Sequence, residues 1–342
     1  MTVPKTMLAI QQPDAHSQSL TLTTLPTPTP APNTSEHLIR VHAVAPCAGE
    51  LLWPQYFPPS SGSSSRVFIP CPDVAGTVVT APADSPFRPG DKVYTRANYL
   101  RNGGGSEYTV LATEELAHCP KKNGNDLSDL SWASVAAIPL SSMTAWQALF
   151  EQAGVGDLEG GAWKGKRVLV TAASGSVGIW LVQLAKLAGA TVVGTCGRDN
   201  LGFVSGLGAD EVLDYRTVDL KSWAAGEEGR KVDVVIDCAG RKALADSWWA
   251  LKEGGTIVSI FQPPGDVRPE GCEVEVRKEL FFIMEPVRKH LEAITRLVEE
   301  GKCRGLVDSV WPLERFQEAF QRVESGHARG KVVIDFGLNR GQ

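Results

Sequence analysis

The stretch from Arg167 to Gly189, RVLVTAASGSVGIWLVQLAKLAG, leaves this chain little choice of local structure. Val168, Leu169 and Val170 form a short apolar run suited to a parallel strand covered on both faces. A turn of small residues follows directly. Val177 to Ala188 then predicts a buried helix closed by Gly189, and Thr191 to Thr195 predicts the next strand. The turn, Ala173-Ser174-Gly175-Ser176-Val177-Gly178, fits the dinucleotide pattern G-x-G-x-x-G with Ala173 in place of the first glycine. Gly175 lets the backbone approach a pyrophosphate, and Gly178 lets the helix pack close to the strand. The free N–H groups at the helix start face the anion. A ligand-free strand–helix turn has a similar composition, and the strand on each side of this one favours the binding reading.

At 342 residues the chain is too long for one comfortable core, so two domains are expected. A net charge of -5 with no basic run or aromatic-basic stripe argues against a nucleic-acid partner. No apolar run approaches the roughly 20 residues of a membrane helix, and the first thirty residues lack the features of a signal peptide. A cytosolic protein without a membrane partner is therefore expected. The seven cysteines (Cys47, Cys71, Cys119, Cys196, Cys238, Cys272 and Cys303) are scattered and never in C-x-x-C spacing. That pattern predicts reduced, packed thiols rather than a disulfide framework or a zinc knuckle.

From Met1 to about Asp126 the pattern is β-rich, with strands expected at Leu20 to Thr24, Leu38 to Val44, Gly76 to Thr80, Lys92 to Thr95 and Ser106 to Leu111. Pro26 to Thr34 reads as a surface connection, and Phe57 to Arg66, rich in Ser, Gly and Pro, as a mobile loop. A bridging helical stretch runs over Leu130 to Ala137 and Ser142 to Gln152, with Pro139 breaking it. Beyond Arg167, strands expected at Glu211 to Tyr215, Val232 to Asp237, Thr256 to Ile260 and Leu280 to Met284 alternate with helices, which predicts an α/β, doubly wound parallel sheet. A helix from Pro286 to Glu300, a strand, a helix from Leu313 to Glu324 and a last strand from Lys331 to Phe336 complete the chain.

Six segments in this order carry a family resemblance over nearly the whole chain: PCPDVAGTV with FRPGDKVY, GGGSEYTVLATEELAHCP, AAIPLSSMTAWQAL, VTAASGSVG, LGADEVLDYR and SGHARGKVVIDF. The chain resembles a medium-chain dehydrogenase/reductase of the quinone oxidoreductase type. The resemblance implies a GroES-like catalytic domain over residues 1–127, with 302–342 returning to it, a Rossmann domain over 128–301, and a cofactor in the cleft. Zinc-dependent members of that superfamily hold the metal with Cys, His or Glu, and a further Cys. Here Cys47 matches a first ligand, but Pro72 stands at the histidine position, so no metal is expected.

Enzymes that prefer NAD place an acid at the end of the second strand of such a domain to hold the ribose hydroxyls. Thr195-Cys196-Gly197-Arg198 stands there instead, and Arg198 suits the 2′-phosphate of NADPH; Asp199 is either the ribose acid one step late or, the favoured reading, a cap of the next helix. Gly197 belongs to the same binding segment. Further cofactor contacts are expected from the strand ends Cys238, Ala239 and Gly240, from Phe261 and Gln262, and from Thr144 on the bridging helix. The resemblance adds Tyr215 and Lys331, near the cofactor phosphates and the nicotinamide end. It also implies a substrate pocket along Cys47 to Phe57, where Glu50, Trp53 and Tyr56 offer an acid, a wall and a hydroxyl. Each also has a purely structural reading, as a hydrogen-bond acceptor or a packed aromatic.

The expected function is zinc-free, NADPH-dependent reduction of quinones or of the C=C bond of α,β-unsaturated carbonyls, with a biosynthetic role. A trans-acting enoyl reductase of polyketide biosynthesis, a carbonyl or alcohol dehydrogenase, and a non-catalytic NADPH-binding protein are the alternatives. Relatives pair through the Rossmann sheet edge, which implies a homodimer through Leu280 to Met284.

Overall fold

A computed structural model of the chain describes residues 2–57, 67–121, 131–227 and 229–338. Two compact units emerge: Met1–Leu140 with Glu285–Gln342, and Ser141–Met284. Residues 58–66 of the expected mobile loop, and Leu130 of the bridging helix, lie outside the described residues.

The first unit opens with β1 (Thr6–Gln11) and β2 (Thr21–Pro26), an antiparallel pair of which the sequence pattern had pointed only to β2. Next come β3 (Glu36–Ala45), the short helix α1 (Trp53–Tyr56), β4 (Asp73–Thr80), β5 (Lys92–Arg96), β6 (Tyr108–Ala112) and β7 (Ala117–His118). Helix α2 (Trp132–Ala136), capped by the Ser131 hydroxyl, packs on β3 and β4. Pro139 does not end a helix; it begins α3 (Pro139–Trp146). Its fixed φ and missing N–H suit the first helical position, where that N–H has no intrahelical partner.

In the second unit β8 (Arg167–Val170) leads through the small-residue turn into α4 (Ser176–Leu187), and β9 (Thr191–Cys196) follows. Gly189, at φ +93°, takes the left-handed conformation that ends α4. Then come α5 (Leu201–Gly206), β10 (Glu211–Asp214), α6 (Leu220–Ala225), β11 (Val232–Asp237), α7 (Arg241–Ser247), β12 (Leu251–Ser259) and β13 (Val276–Phe281). The edge strand thus lies earlier than Leu280 to Met284, because its apolar end only finishes a strand whose start is charged. All pairs in this sheet are parallel, in the order β10-β9-β8-β11-β12-β13. Chain order reverses between β8 and β11, and it is outside the carboxyl ends of strands at such a point that ligands collect.

The chain returns to the first unit with α8 (Arg288–Glu299), β14 (Val307–Pro312), α9 (Phe316–Glu324) and β15 (Lys331–Asp335). β15 is inserted between β14 and β3, antiparallel to the latter. The compact units change over at 140/141 and 284/285, so residues 131–140 and 285–301 group with the first unit. Packing explains this: α2 lies on the β3–β4 surface, and α8 on β7.

Candidate functional site

Within the second unit, the turn after β8 is shaped by backbone contacts. A Cβ at Gly178 would lie 2.3 Å from the Ala172 carbonyl oxygen, so only glycine lets α4 approach the strand this closely. No side chain caps α4 at Gly175, which leaves the N–H groups of its first turn open to an anion. The left-handed residue of the turn is Ala172, at φ +48°, one position before the alanine that replaces the first glycine of the pattern. Ser174 Oγ accepts a hydrogen bond from the Asn200 amide at 3.2 Å.

Asp237, fully buried at the end of β11, ties three strand ends together. Thr171 Oγ1 and Ser259 Oγ donate to it at 2.6 and 2.9 Å, and the Gly240 N–H at 2.9 Å. The Cys238 N–H donates in turn to Thr171 Oγ1 at 2.9 Å, and the Phe261 N–H to Ser259 Oγ at 3.0 Å. The segments Cys238–Gly240 and Phe261–Gln262 are thereby held at the strand ends, as the sequence pattern implied. Gly240 has φ +66°, and a Cβ there would run into the Phe261 ring. Gln262 Oε1 accepts from the Arg241 N–H at 3.0 Å, and Thr144 is buried on α3.

At the end of β9, Gly197 lies beside Arg216, whose Nη2 is 3.6 Å from the position of a glycine Cβ. Arg198 is exposed next to it; Cys196 ends the strand, and the carboxylates of Asp214 and of Asp199, three positions on, both act on the Arg216 guanidinium. The Arg216 guanidinium also sits 5.5 Å from the ring of Tyr215, itself 59% exposed. Asn200, Arg216 and Asp237 escaped the sequence reading. An aspartate ending a parallel strand was the available signal for the last, and the arginine of LGADEVLDYR for the second.

The first unit holds a different centre. Glu50 receives the N–H groups of Cys47 (3.0 Å) and Cys71 (2.9 Å), and burial pushes its carboxyl up to about 8. Lys331 is 4% exposed; its ammonium meets Asp73 Oδ2 at 2.8 Å and donates to the Pro46 carbonyl at 2.9 Å. Burial works against that charge, yet Asp73 holds the ammonium above its ordinary pKa. Lys331 therefore neutralises a buried carboxylate within its own unit. Asp73 Oδ1 accepts the Leu140 N–H at 2.6 Å. Burial raises the Cys47 thiol to about 12, so it is protonated at neutral pH. Glu50 and Trp53 share one cavity wall with Cys71, Pro72 and Tyr99, while Tyr56 stands outside that wall, 71% exposed.

A family described as zinc-binding dehydrogenase matches residues 207–334. The chain is 50% identical, over 97% of its length and 98% of the relative's, to a protein of Arthroderma benhamiae named probable zinc-binding oxidoreductase, mitochondrial. It is 37% identical to the chloroplast envelope quinone oxidoreductase homolog of Arabidopsis thaliana, over 78% of this chain and 79% of that one. The solved quinone oxidoreductase from Coxiella burnetii superposes with a TM-score of 0.77 at 26% identity, covering 97% and 99% of the two chains. These relatives correct the cytosolic expectation, since the two sequence relatives carry the names of organelles. Among the described residues no group of three or more His, Cys, Asp or Glu side chains is placed to hold a metal. The carboxylates near Cys47 are already engaged, Glu50 by two backbone N–H groups and Asp73 by Lys331. With a GroES-like unit assembled from both ends of the chain and a Rossmann unit between them, this chain belongs to the quinone oxidoreductase-like medium-chain dehydrogenase/reductases.

Proposed function

We propose that the protein is a zinc-independent, NADPH-dependent reductase of quinones or of the C=C bond of α,β-unsaturated carbonyls. The observation that supports this most is the end of β9, where Cys196 rather than a carboxylate closes the strand, Arg198 follows exposed and the Arg216 guanidinium lies beside Gly197. A 2′-phosphate answers both, and charge-assisted contacts of this kind are the strong ones. In this reading the N–H groups of Ser176, Val177 and Gly178 take the pyrophosphate, the Gly175 N–H being bonded to the Ala172 carbonyl, and Tyr215 lies along the adenosine. Thr144 and the segments Cys238–Gly240 and Phe261–Gln262 serve the nicotinamide end. The bound cofactor supplies a hydride. For a conjugated acceptor the charge that develops settles on an oxygen, which fixed donors can hold without a metal. The relatives named quinone oxidoreductases agree with such acceptors.

Titration of NADPH and NADH into wild type and Arg198→Ala tests the cofactor assignment. The variant should bind NADPH about tenfold or more weakly and NADH nearly as before; equal losses for both would remove Arg198 from the phosphate site. The reaction class is tested with C4-deuterated NADPH and an enone, with deuterium expected on the β-carbon of a saturated ketone. Label on the carbinol carbon of an allylic alcohol would assign carbonyl reduction instead.

A further inference from the structure

The backbone N–H groups that follow β11 and β12, from Cys238 to Arg241 and from Ile260 to Gln262, are all taken up inside the second unit. Those of Ala239 and Gly240 donate to the buried Asp237 carboxylate at 3.2 and 2.9 Å. That of Cys238 goes to Thr171 Oγ1, and the Phe261 and Gln262 groups share Ser259 Oγ at 3.0 and 3.3 Å. Both hydroxyls donate in turn to Asp237. The Ile260 N–H meets the Asp237 carbonyl, and the Arg241 N–H meets Gln262 Oε1. A trans peptide points its carbonyl opposite to its N–H. The carbonyls of Cys238, Ala239, Ile260 and Phe261 therefore turn away from Asp237 and its two hydroxyls, and among the described residues none of them accepts a hydrogen bond. Cys238, Ala239 and Ile260 are half-buried and Phe261 is 47% exposed. The backbone edge at these strand ends is made of acceptors alone, the reverse of the start of α4 with its open N–H groups.

We propose that Asp237 is the positioning residue of the nicotinamide end: by drawing in the N–H groups of both segments it leaves an outward edge of carbonyl oxygens, which selects a ligand group with N–H donors, the cofactor's carboxamide, over one without them. This rests on the reading of the two segments as the nicotinamide end of an NADPH site. Asp237 acts through the loops it fixes. A carboxylate suits the task because both of its oxygens accept, whereas an amide has one acceptor and one donor end. An asparagine at this position would set its NH2 against either the Thr171 and Ala239 donors or the Ser259 and Gly240 donors, and so release one of the two arms.

Calorimetric titration tests this without turnover. The probes are NADP+, its 3-acetylpyridine analogue, in which a methyl group replaces the carboxamide NH2 at the same charge, and adenosine 2′,5′-bisphosphate, which lacks the nicotinamide half. Wild type should bind NADP+ about tenfold more tightly than the analogue. Asp237→Asn should weaken NADP+ by about tenfold and the analogue by less, which draws the two together, and should leave the bisphosphate unchanged. Ser259→Ala, which releases only the Phe261 and Gln262 N–H groups, should give the same pattern at smaller size, and it carries the test if the first variant does not fold. Losses that run in parallel for NADP+ and the analogue, or that extend to the bisphosphate, reduce Asp237 to a residue of the fold and overturn the proposal. Equal wild-type affinity for NADP+ and the analogue, with both tighter than the bisphosphate, overturns it as well and leaves the reading of the segments intact. Equal affinity for all three overturns that reading itself.

Discussion

The strand ends of the Ser141–Met284 unit and the charged cluster of the other unit are built from opposite materials. The first is made of backbone: glycines at 175, 178, 197 and 240 keep side chains away, and Asp237 spends its oxygens fixing neighbouring loops. The second is made of side chains from four distant segments, Glu50, Asp73, Arg96 and Lys331, all buried. A backbone-built site presents N–H groups that any anion of the right shape can use. In a side-chain cluster the members depend on one another, as the buried carboxylate of Asp73 is tolerated only through Lys331.

The largest effect expected from this contrast lies at Lys331. Replacing it by methionine leaves Asp73 buried and unpaired, which should cost about 3–5 kcal/mol in urea unfolding. Adding Asp73→Asn, which keeps an acceptor for the Leu140 N–H, should recover most of the loss. If the single variant costs less than about 1 kcal/mol, like an exposed pair, the cluster is not the interdependent body described here.

A more gradual effect is expected at Glu50. Between pH 4.5 and about 8 the unfolded chain carries this residue ionised and the folded one carries it protonated. The folded state then binds the extra proton, so the contribution of Glu50 to stability is full below pH 4.5 and is lost as pH rises through about 8. Its slope is at most about 1.4 kcal/mol per pH unit. Glu50→Gln should flatten the Tm–pH profile over that window, and an unchanged profile would show that the carboxyl is ionised in the fold.

The smallest effect sharpens the backbone side of the comparison. Ala172 holds a left-handed conformation that costs a residue with a Cβ about 1 kcal/mol. Ala172→Gly relieves it but loosens the unfolded chain, so a rise in Tm of about 1–2 °C is expected. A fall would show that the methyl group packs usefully at the turn.

The same contrast decides what can be read from the sequence. Strand, turn and helix after Arg167 are contiguous, and their glycines are needed where they stand, so Gly175, Gly178 and the parallel sheet were legible from local pattern. Pro139 misled because proline is as suited to a helix start as to a break. Arg96 and Asp73 sit in strands that look ordinary, and nothing near either announces a partner. Lys331 meets the Pro46 carbonyl across 285 positions of chain, and no local periodicity records such a pairing. Asp237 goes unnoticed for a related reason: it ends a predicted strand, but its value lies in Thr171 and Ser259, which other strands supply.

The place of β15 between β14 and β3 also bears on how the molecule is made. Translation proceeds at about 5–20 residues per second, so the 285 positions between Pro46 and Lys331 take roughly a quarter of a minute to a minute. Through that interval β3 has its partners β4 and β6 but not β15, and its edge at Ala43 and Val44 waits without a neighbour. All six strands of the other sheet, by contrast, leave the ribosome in one uninterrupted run. The domain whose strands are synthesised first is thus the one completed last, and a nascent chain must keep that apolar edge from straying partners until its final strand arrives.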